Sequence, residues 1–305
     1  MSSVGAAIDV VRWLAAERGL VAEPIAVADR SNLVLRLDPH PVVARVAMAT
    51  SLARVGLDWL RREVEIARFL DAAGCRVTRP SRLVDPGPVE RDGLVISFWE
   101  LEEIVAERAD PAEAGRELAA THRALAKAEG QVSLPIWGSL DEARQAFAHA
   151  RARGAYDADS LDRLERCWER VDRVVASARE RTGSFQPVHG DAHIGNVLAT
   201  RRGAVWTDWE DAFVGPVEWD VACLRSKADL FGEERAAIDA MLEAYDHPFD
   251  ASSRVSSAMS ATSRSSPGSP YSPSASLSSG AHAGEDRTPR TMIATGRDRR
   301  YDRER

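Results

Sequence analysis

Apolar side chains follow a helical period over residues 6–19 and then change to alternation between Pro24 and Ala49. The runs IAVADRSNLVLRL and VVARVAMA, with a turn at Asp38-Pro39-His40-Pro41, predict one strand followed by a two-strand hairpin. A helical period returns from about Gly56 to Ala73, and after a proline-rich connection DGLVISFW reads as a further strand. From Asp110 onward helices dominate. DPAEAGRELAATHRALAKA opens on Asp-Pro with Glu113 in its first turn, a good helix start, and LDEARQAFAHARARG and SLDRLERCWERVDRVVASARERTG follow. A short β-like passage spans Gln186–Trp209, then helices cover roughly 217–230 and 232–246. This order predicts an α+β protein with a small β-rich N-lobe and a larger helical C-lobe. No internal repeat is evident.

The pattern stops near residue 250. Residues 251–305 hold fourteen serines, nine arginines and five acidic residues with almost no large apolar side chains, a composition that cannot bury enough surface to offset chain entropy. The expected organisation is therefore an N-lobe over 1–101, a C-lobe over 102–250, and a disordered or aberrant tail over 251–305.

Composition narrows the class. With 44% hydrophobic and 29% charged residues the 305-residue chain has ample material for a core. Its formal charge of −7 divides into +4 on the tail and −11 on residues 1–250, which argues against nucleic acid as a partner. The N-terminus carries charge inside its apolar run and has no basic leader, so it reads as an amphipathic helix rather than a signal peptide. No stretch approaches the roughly 18 uncharged apolar residues of a membrane span. Cys75, Cys167 and Cys223 form no CxxC pair, and a reduced cytoplasm is the simplest compartment. Of the forty basic residues only Lys127 and Lys227 are lysine, so chemistry that needs a lysine has two candidates.

The densest chemistry lies in QPVHGDAHIGNVLATRRGAVWTDWEDAFVGP, where His189, Asp191, His193, Asn196, Asp208, Glu210 and Asp211 sit between apolar flanks. One reading takes His-x-Asp-x-His as the metal ligands of a hydrolase. The other has Asp191 orient a substrate hydroxyl while Asn196 and Asp208 hold Mg²⁺, because a hard cation prefers amide and carboxylate oxygens to imidazoles. Spacing favours the second. NVLAT and AVWTD form a hairpin about Arg201-Arg202-Gly203 that returns Asp208 to the mouth of the loop carrying Asp191 and Asn196. A loop with Asp and Asn, then a hairpin ending in Asp, is a phosphoryl-transfer arrangement.

These segments carry a specific resemblance. HGDAHIGN is similar to the H-G-D-x-x-x-x-N motif of the aminoglycoside phosphotransferase family, kinase-like enzymes acting on small molecules, and WTDWEDAFVGPVEWDVA resembles that family's metal-binding segment and the helix after it. The likeness covers about residues 20–245. It implies a protein-kinase-like two-lobe fold, Asp191 as the catalytic aspartate, and Asn196 and Asp208 as Mg²⁺ ligands. His189 is then a structural member of the loop, and His193 faces solvent or packs within it. Asp220 either hydrogen-bonds the catalytic loop or is a helix-surface carboxylate. Family members continue as helices where this chain turns to Ser/Arg/Pro.

On the nucleotide side the resemblance calls for a phosphate-binding cation on the second hairpin strand, paired with a helix glutamate. Neither lysine lies there, and Arg45 of VVARVA takes the place. In WLRREVEIARFL, at about 100° per residue, Glu63 falls near the centre of the apolar arc and Glu65 opposite, so Glu63 is the expected partner. The phosphate-covering loop ADRSNLVLRL has no glycine; Ser31 and Asn32 are its candidate donors, against an ordinary turn. Phe98 and Trp99 of SFWEL fall where a hinge and adenine contacts belong, or serve as lobe-packing aromatics.

The expected activity is ATP-dependent, Mg²⁺-assisted phosphorylation of a hydroxyl on an aminoglycoside, amino sugar or amino alcohol, with ATP or another nucleoside triphosphate as donor. The acidic body agrees with a cationic acceptor. Arg45 in place of lysine and the unusual tail support an alternative, an impaired kinase-like nucleotide-binding module, and the metal hydrolase stands third.

Overall fold

A computed structural model describes residues 4–29, 32–47, 57–128, 130–182, 185–232 and 234–245. The expectation for residues 251–305 lies outside the described residues. Helix α1 (Val4–Glu17) buries Ala7, Val11, Leu14 and Ala15, the spacing of one helical face. It covers a sheet of β1 (Glu23–Asp29), β2 (Asn32–Asp38), β3 (Val42–Ala47), β4 (Val89–Arg91) and β5 (Leu94–Glu100), ordered β1-β2-β3-β5-β4 with antiparallel pairing throughout.

All six residues of β3 are buried because it is the central strand and both its faces are covered. Strand alternation sends Val42, Ala44 and Val46 into the core under α1, with Leu33, Leu35, Leu37, Ile96 and Phe98. Val43 goes to the other face, where Val34 and Trp99 pack with Val64 and Ala67 of α2 (Asp58–Ala72). Arg45, two residues beyond Val43, shares that second face and is aimed between the lobes.

The C-lobe begins with α3 (Pro111–Leu125), whose Asp110 cap accepts from the Glu113 amide at 2.7 Å with proline in the first turn. Helices α4 (Gly138–Ala152) and α5 (Ala158–Thr182) follow. Strand β6 (Gln186–Val188) pairs with β9 (Phe213–Gly215), and between them β7 (Val197–Thr200) and β8 (Gly203–Trp206) make a hairpin. Helices α6 (Glu218–Phe231) and α7 (Arg235–Tyr245) complete the described chain. The expected element order is present. The short strands β4 and β9 were not anticipated, since three residues are too few to display a period. Among the described residues no helix is long and apolar enough to cross a membrane.

The C-lobe core gathers Leu118, Leu125, Trp206, Trp209, Phe213, Met241 and Tyr245. Helix α7 approaches α3 closely at Gly115, where an added Cβ would stand 2.1 Å from the Met241 carbonyl oxygen. Backbone cannot yield as a side-chain tip can. Gly115→Ala is therefore expected to destabilise the protein by about 1–3 kcal/mol despite alanine's better helix propensity, a change that urea unfolding would measure.

The lobes meet along the β7–β8 hairpin. Trp206 N donates to Arg76 O at 2.9 Å, Thr78 N to Trp206 O at 2.9 Å, and Val105 N to Ala199 O at 2.9 Å. Arg202 adds an ion pair with Glu102 and a bond to Val77 O at 2.9 Å. Backbone pairing across the junction brings the end of β8 under the sheet face that carries Arg45.

Candidate active site

The loop after β6 turns at Gly190, whose φ is +87° and whose added Cβ would meet Asp211 O at 2.1 Å. Both the left-handed conformation and the close approach require glycine. Asp220, fully buried on α6, accepts from the His189 amide at 2.7 Å and the Gly190 amide at 2.9 Å. It therefore bonds the loop rather than lying on the helix surface, which decides between its two sequence readings. Its Oδ2 also bonds His122 Nε2 at 2.8 Å, and His122 Nδ1 bonds the Tyr245 hydroxyl. Trp219 Nε1 donates to Gly190 O at 2.8 Å.

This anchorage leaves Asp191 at the edge of the loop, its side chain 22% exposed. His193 Nε2 lies 3.5 Å from Oδ2 and Lys227 Nζ 3.4 Å from Oδ1. Burial alone would raise this carboxyl, but the hydrogen-bonding neighbour His193 and the nearby Lys227 ammonium overcome it and hold it well below the usual carboxylate range. His193 is buried and packs within the loop, accepting from Gly195 N at 3.1 Å. The ring of His189 bonds Thr207 O at 3.0 Å. The two histidines thus serve the backbone rather than converging on one point, and among the described residues no three His, Cys, Asp or Glu side chains form a metal cage.

Asn196 donates from Nδ2 to Asp191 O at 3.0 Å, while its Oδ1 is buried with no hydrogen-bond partner among the described residues. A buried amide oxygen without a donor is costly unless a ligand completes it. Asp208 follows β8 with φ +68°, an uncommon conformation outside glycine that turns the chain sharply at the cleft.

Arg45 joins the lobes. Nη1 pairs with Glu63, and Nη2 lies 2.5 Å from both Asp208 Oδ1 and Glu210 Oε2. With its amide oxygen facing the guanidinium, Asn32 accepts from Nε at 3.0 Å and Nη2 at 2.6 Å. One guanidinium against three carboxylates leaves a formal excess of two negative charges in a buried cluster. Burial pushes the Glu63 carboxyl up to about 8, with Glu210 and Asp208 adding to the shift and Arg45 opposing it. The surrounding carboxylates hold Arg45 above its ordinary value, against the cost of burial.

A narrow cleft with a cavity of about 50 Å³ opens on this cluster, lined by Val34 and Val43 from the sheet, Trp99 and Glu100 from β5, and Leu198, Thr207 and Asp208 from the C-lobe. Its mixture of apolar walls and convergent charge is the lining of a small-molecule site. Trp99 reaches this cleft, whereas Phe98 is fully buried in the core under α1. The structure thus brings Arg45, Glu63, Asn32 and Asp208 together, with Asp191 and Asn196 on the adjoining loop. Ser31 lies outside the described residues.

Sequence reasoning did not assign Glu210, Lys227 or His122. Glu210 lies on a 3₁₀ turn with no strand or helix period to place it. Lys227 is seven residues past Asp220 on α6, two helical turns, and that spacing was a usable signal.

The family model described as "Phosphotransferase enzyme family" (APH) matches residues 27–255. No curated protein sequence matches the chain. Among solved structures, a microcompartment-associated aminopropanol kinase is similar at TM-score 0.60 and 13% identity, with 83% of this chain and 86% of that one covered. The macrolide 2'-phosphotransferase MphH from Brachybacterium faecium is similar at TM-score 0.54 and 16% identity, covering 84% and 89%. The amicoumacin kinase hAmiN, solved in complex with AMP-PNP, Ca²⁺ and Ami, is similar at TM-score 0.54 and 16% identity, covering 78% and 76%. At these identities the likeness is one of fold.

Proposed function

The chain belongs to the phosphotransferase enzyme family, and from that premise we propose that it moves the γ-phosphoryl group of ATP to a hydroxyl of a small molecule. The observation that carries the proposal is the pairing of an anchored Asp191 with a cleft whose buried charges and unsatisfied Asn196 oxygen fit a divalent cation. The donors are hard oxygens, and Mg²⁺ commonly takes one or two protein carboxyl or amide ligands with substrate phosphates supplying the rest. Asn196 and Asp208 would hold it. Bound there, Mg²⁺ would offset charge on the nucleotide phosphates.

The chain's own residues do the remainder. Glu63 and Asn32 fix the Arg45 guanidinium, which can turn donors toward phosphate oxygens once Asp208 and Glu210 are engaged elsewhere. Trp99, Val34 and Val43 offer apolar surface for the base. Asp191 accepts a hydrogen bond from the acceptor hydroxyl and aligns it. The hydroxyl oxygen bonds to the γ-phosphorus as the bond to the β,γ-bridging oxygen breaks, and ADP leaves. A carboxylate held well below its usual pKa is a weak base, so Asp191 orients the nucleophile early and receives its proton late, passing it to solvent. We place the enzyme in the cytoplasm, where three unpaired cysteines are at home. Its acceptor in this reading is an aminoglycoside, amino sugar or amino alcohol, drawn by the acidic body.

A second reading rests on one observation: Arg45 is fully engaged by carboxylates, as in a module that binds nucleotide without turning it over. Calorimetry with ATP, with and without Mg²⁺, tests the nucleotide side common to both readings. The wild-type protein is expected to bind ATP more tightly with Mg²⁺ present. Asp208→Ala should weaken Mg-ATP binding at least roughly tenfold while metal-free ATP binds no worse, because a carboxylate facing the triphosphate has gone. Metal-independent binding in the wild type would overturn the proposed metal site. ADP formation with an acceptor separates enzyme from module.

A further inference from the structure

One face of α6 runs along the catalytic loop. Asp220 holds the loop amides, Cys223 Sγ lies 3.6 Å from Gly190 O, and Lys227 extends to Asp191 Oδ1 at 3.4 Å. Positions 220, 223 and 227 recur at intervals of three and four, which places them on one helical face. The Lys227 side chain is only 18% exposed, and lysine is rarely so covered without an electrostatic partner. This chain uses arginine for thirty-eight of its forty basic residues, yet one of its two lysines stands against this carboxylate.

The choice of residue has a chemical consequence. A guanidinium fork tends to engage both oxygens of a carboxylate, whereas an ammonium is a compact point charge that meets one. With Lys227 beside Oδ1 and His193 beside Oδ2, the carboxylate is fixed in direction and keeps lone pairs for a third donor.

We propose that Lys227 is a positioning residue for phosphoryl transfer: it fixes the Asp191 carboxylate and offsets its charge against the approaching triphosphate, leaving lone pairs open to the acceptor hydroxyl. The proposal rests on the phosphotransferase reading. Nothing in it requires Lys227 to touch the acceptor. Its effect passes through Asp191, so it must vanish when Asp191 has lost its charge.

Steady-state kinetics of the full chain with Mg-ATP and an amino alcohol or amino sugar that it phosphorylates test this. Lys227→Met is expected to lower kcat by roughly 10- to 100-fold with the KM for ATP within about twofold of wild type, less than the cost of losing a donor that contacts the reacting group. Lys227→Arg should retain most of kcat but raise the KM for the acceptor, since the fork competes for the carboxylate. The double variant Asp191→Asn with Lys227→Met should be no slower than Asp191→Asn alone, whereas damage to the fold would add to it. Lys127→Met, at an exposed lysine, should match wild type. Wild-type kcat in Lys227→Met, or additive losses in the double variant, would overturn the role of Lys227 while leaving the phosphotransferase reading intact. Equal turnover by wild type and Asp191→Asn would instead remove that reading and this proposal with it.

Discussion

Asp191→Asn is expected to reduce kcat by roughly 10²- to 10⁴-fold while leaving Mg-ATP affinity within about twofold. The substitution preserves size, and the loop that carries residue 191 is held through the backbone of its neighbours by Asp220, so the geometry survives. What is lost is the negative charge that, in the proposed mechanism, faces the hydroxyl. The neutral amide accepts through only one of its two polar atoms and turns a donor toward the nucleophile or toward Lys227. Because the proposed mechanism sets this side chain against the acceptor, the nucleotide contacts it assigns to Arg45 and Asp208 should be untouched. Calorimetry beside steady-state turnover separates these effects. A large loss of nucleotide binding would mean that Asp191 belongs to the phosphate site rather than to alignment of the acceptor.

Asp220→Ala is expected to act on stability first and activity second. Its carboxylate is fully buried and satisfies two backbone N–H groups and His122 together. Truncation leaves those groups without their acceptor in a place that water does not freely reach, a loss of about 3–5 kcal/mol. For a folded body of this size that corresponds to a thermal midpoint lower by on the order of 10 °C. Turnover should collapse as well, since the loop amides that set the direction of Asp191 are released. Thermal unfolding distinguishes the two aspartates: Asp191→Asn should unfold near the wild-type midpoint and Asp220→Ala well below it. A wild-type midpoint for Asp220→Ala would mean that the loop holds its shape without α6.

The same contrast explains what could be read from the chain beforehand. Arg45 was legible through the resemblance, which calls for a cation at its place on the second hairpin strand, and Glu63 through helical periodicity, since a carboxylate in an apolar arc needs a cation. The placement of Asp191, Asn196 and Asp208 about one loop and hairpin was legible from their determinate spacing. Asp220 stayed ambiguous because periodicity assigns a face to a side chain without saying what packs on it. His122 and Tyr245 bond each other across 123 positions of sequence, and only the packing of α3 on α7 makes them neighbours. Glu210 escaped because a 3₁₀ turn between strands has no period to read. Its approach to Arg45 is also the reason that one guanidinium ends among three carboxylates, a charge imbalance no local pattern announces.

The lysine count acquired a different meaning in three dimensions. From the sequence it matters because the N-lobe has no lysine and Arg45 stands in its place. In the fold, the lysine of α6 is brought against Asp191. In the proposed mechanism, charge that the resemblance places beside the nucleotide is supplied by arginine, and a point charge is kept for the acceptor side.

Transfer to an acceptor is the central step, and the most direct measurement is phosphorus NMR of the 305-residue chain incubated with Mg-ATP and a panel of amino alcohols, amino sugars and sugars. The prediction is a phosphomonoester on at least one acceptor, formed in step with ADP and absent with Asp191→Asn. Nucleotide that binds but yields no phosphorylated acceptor, or ADP that accumulates with free phosphate alone, would contradict it.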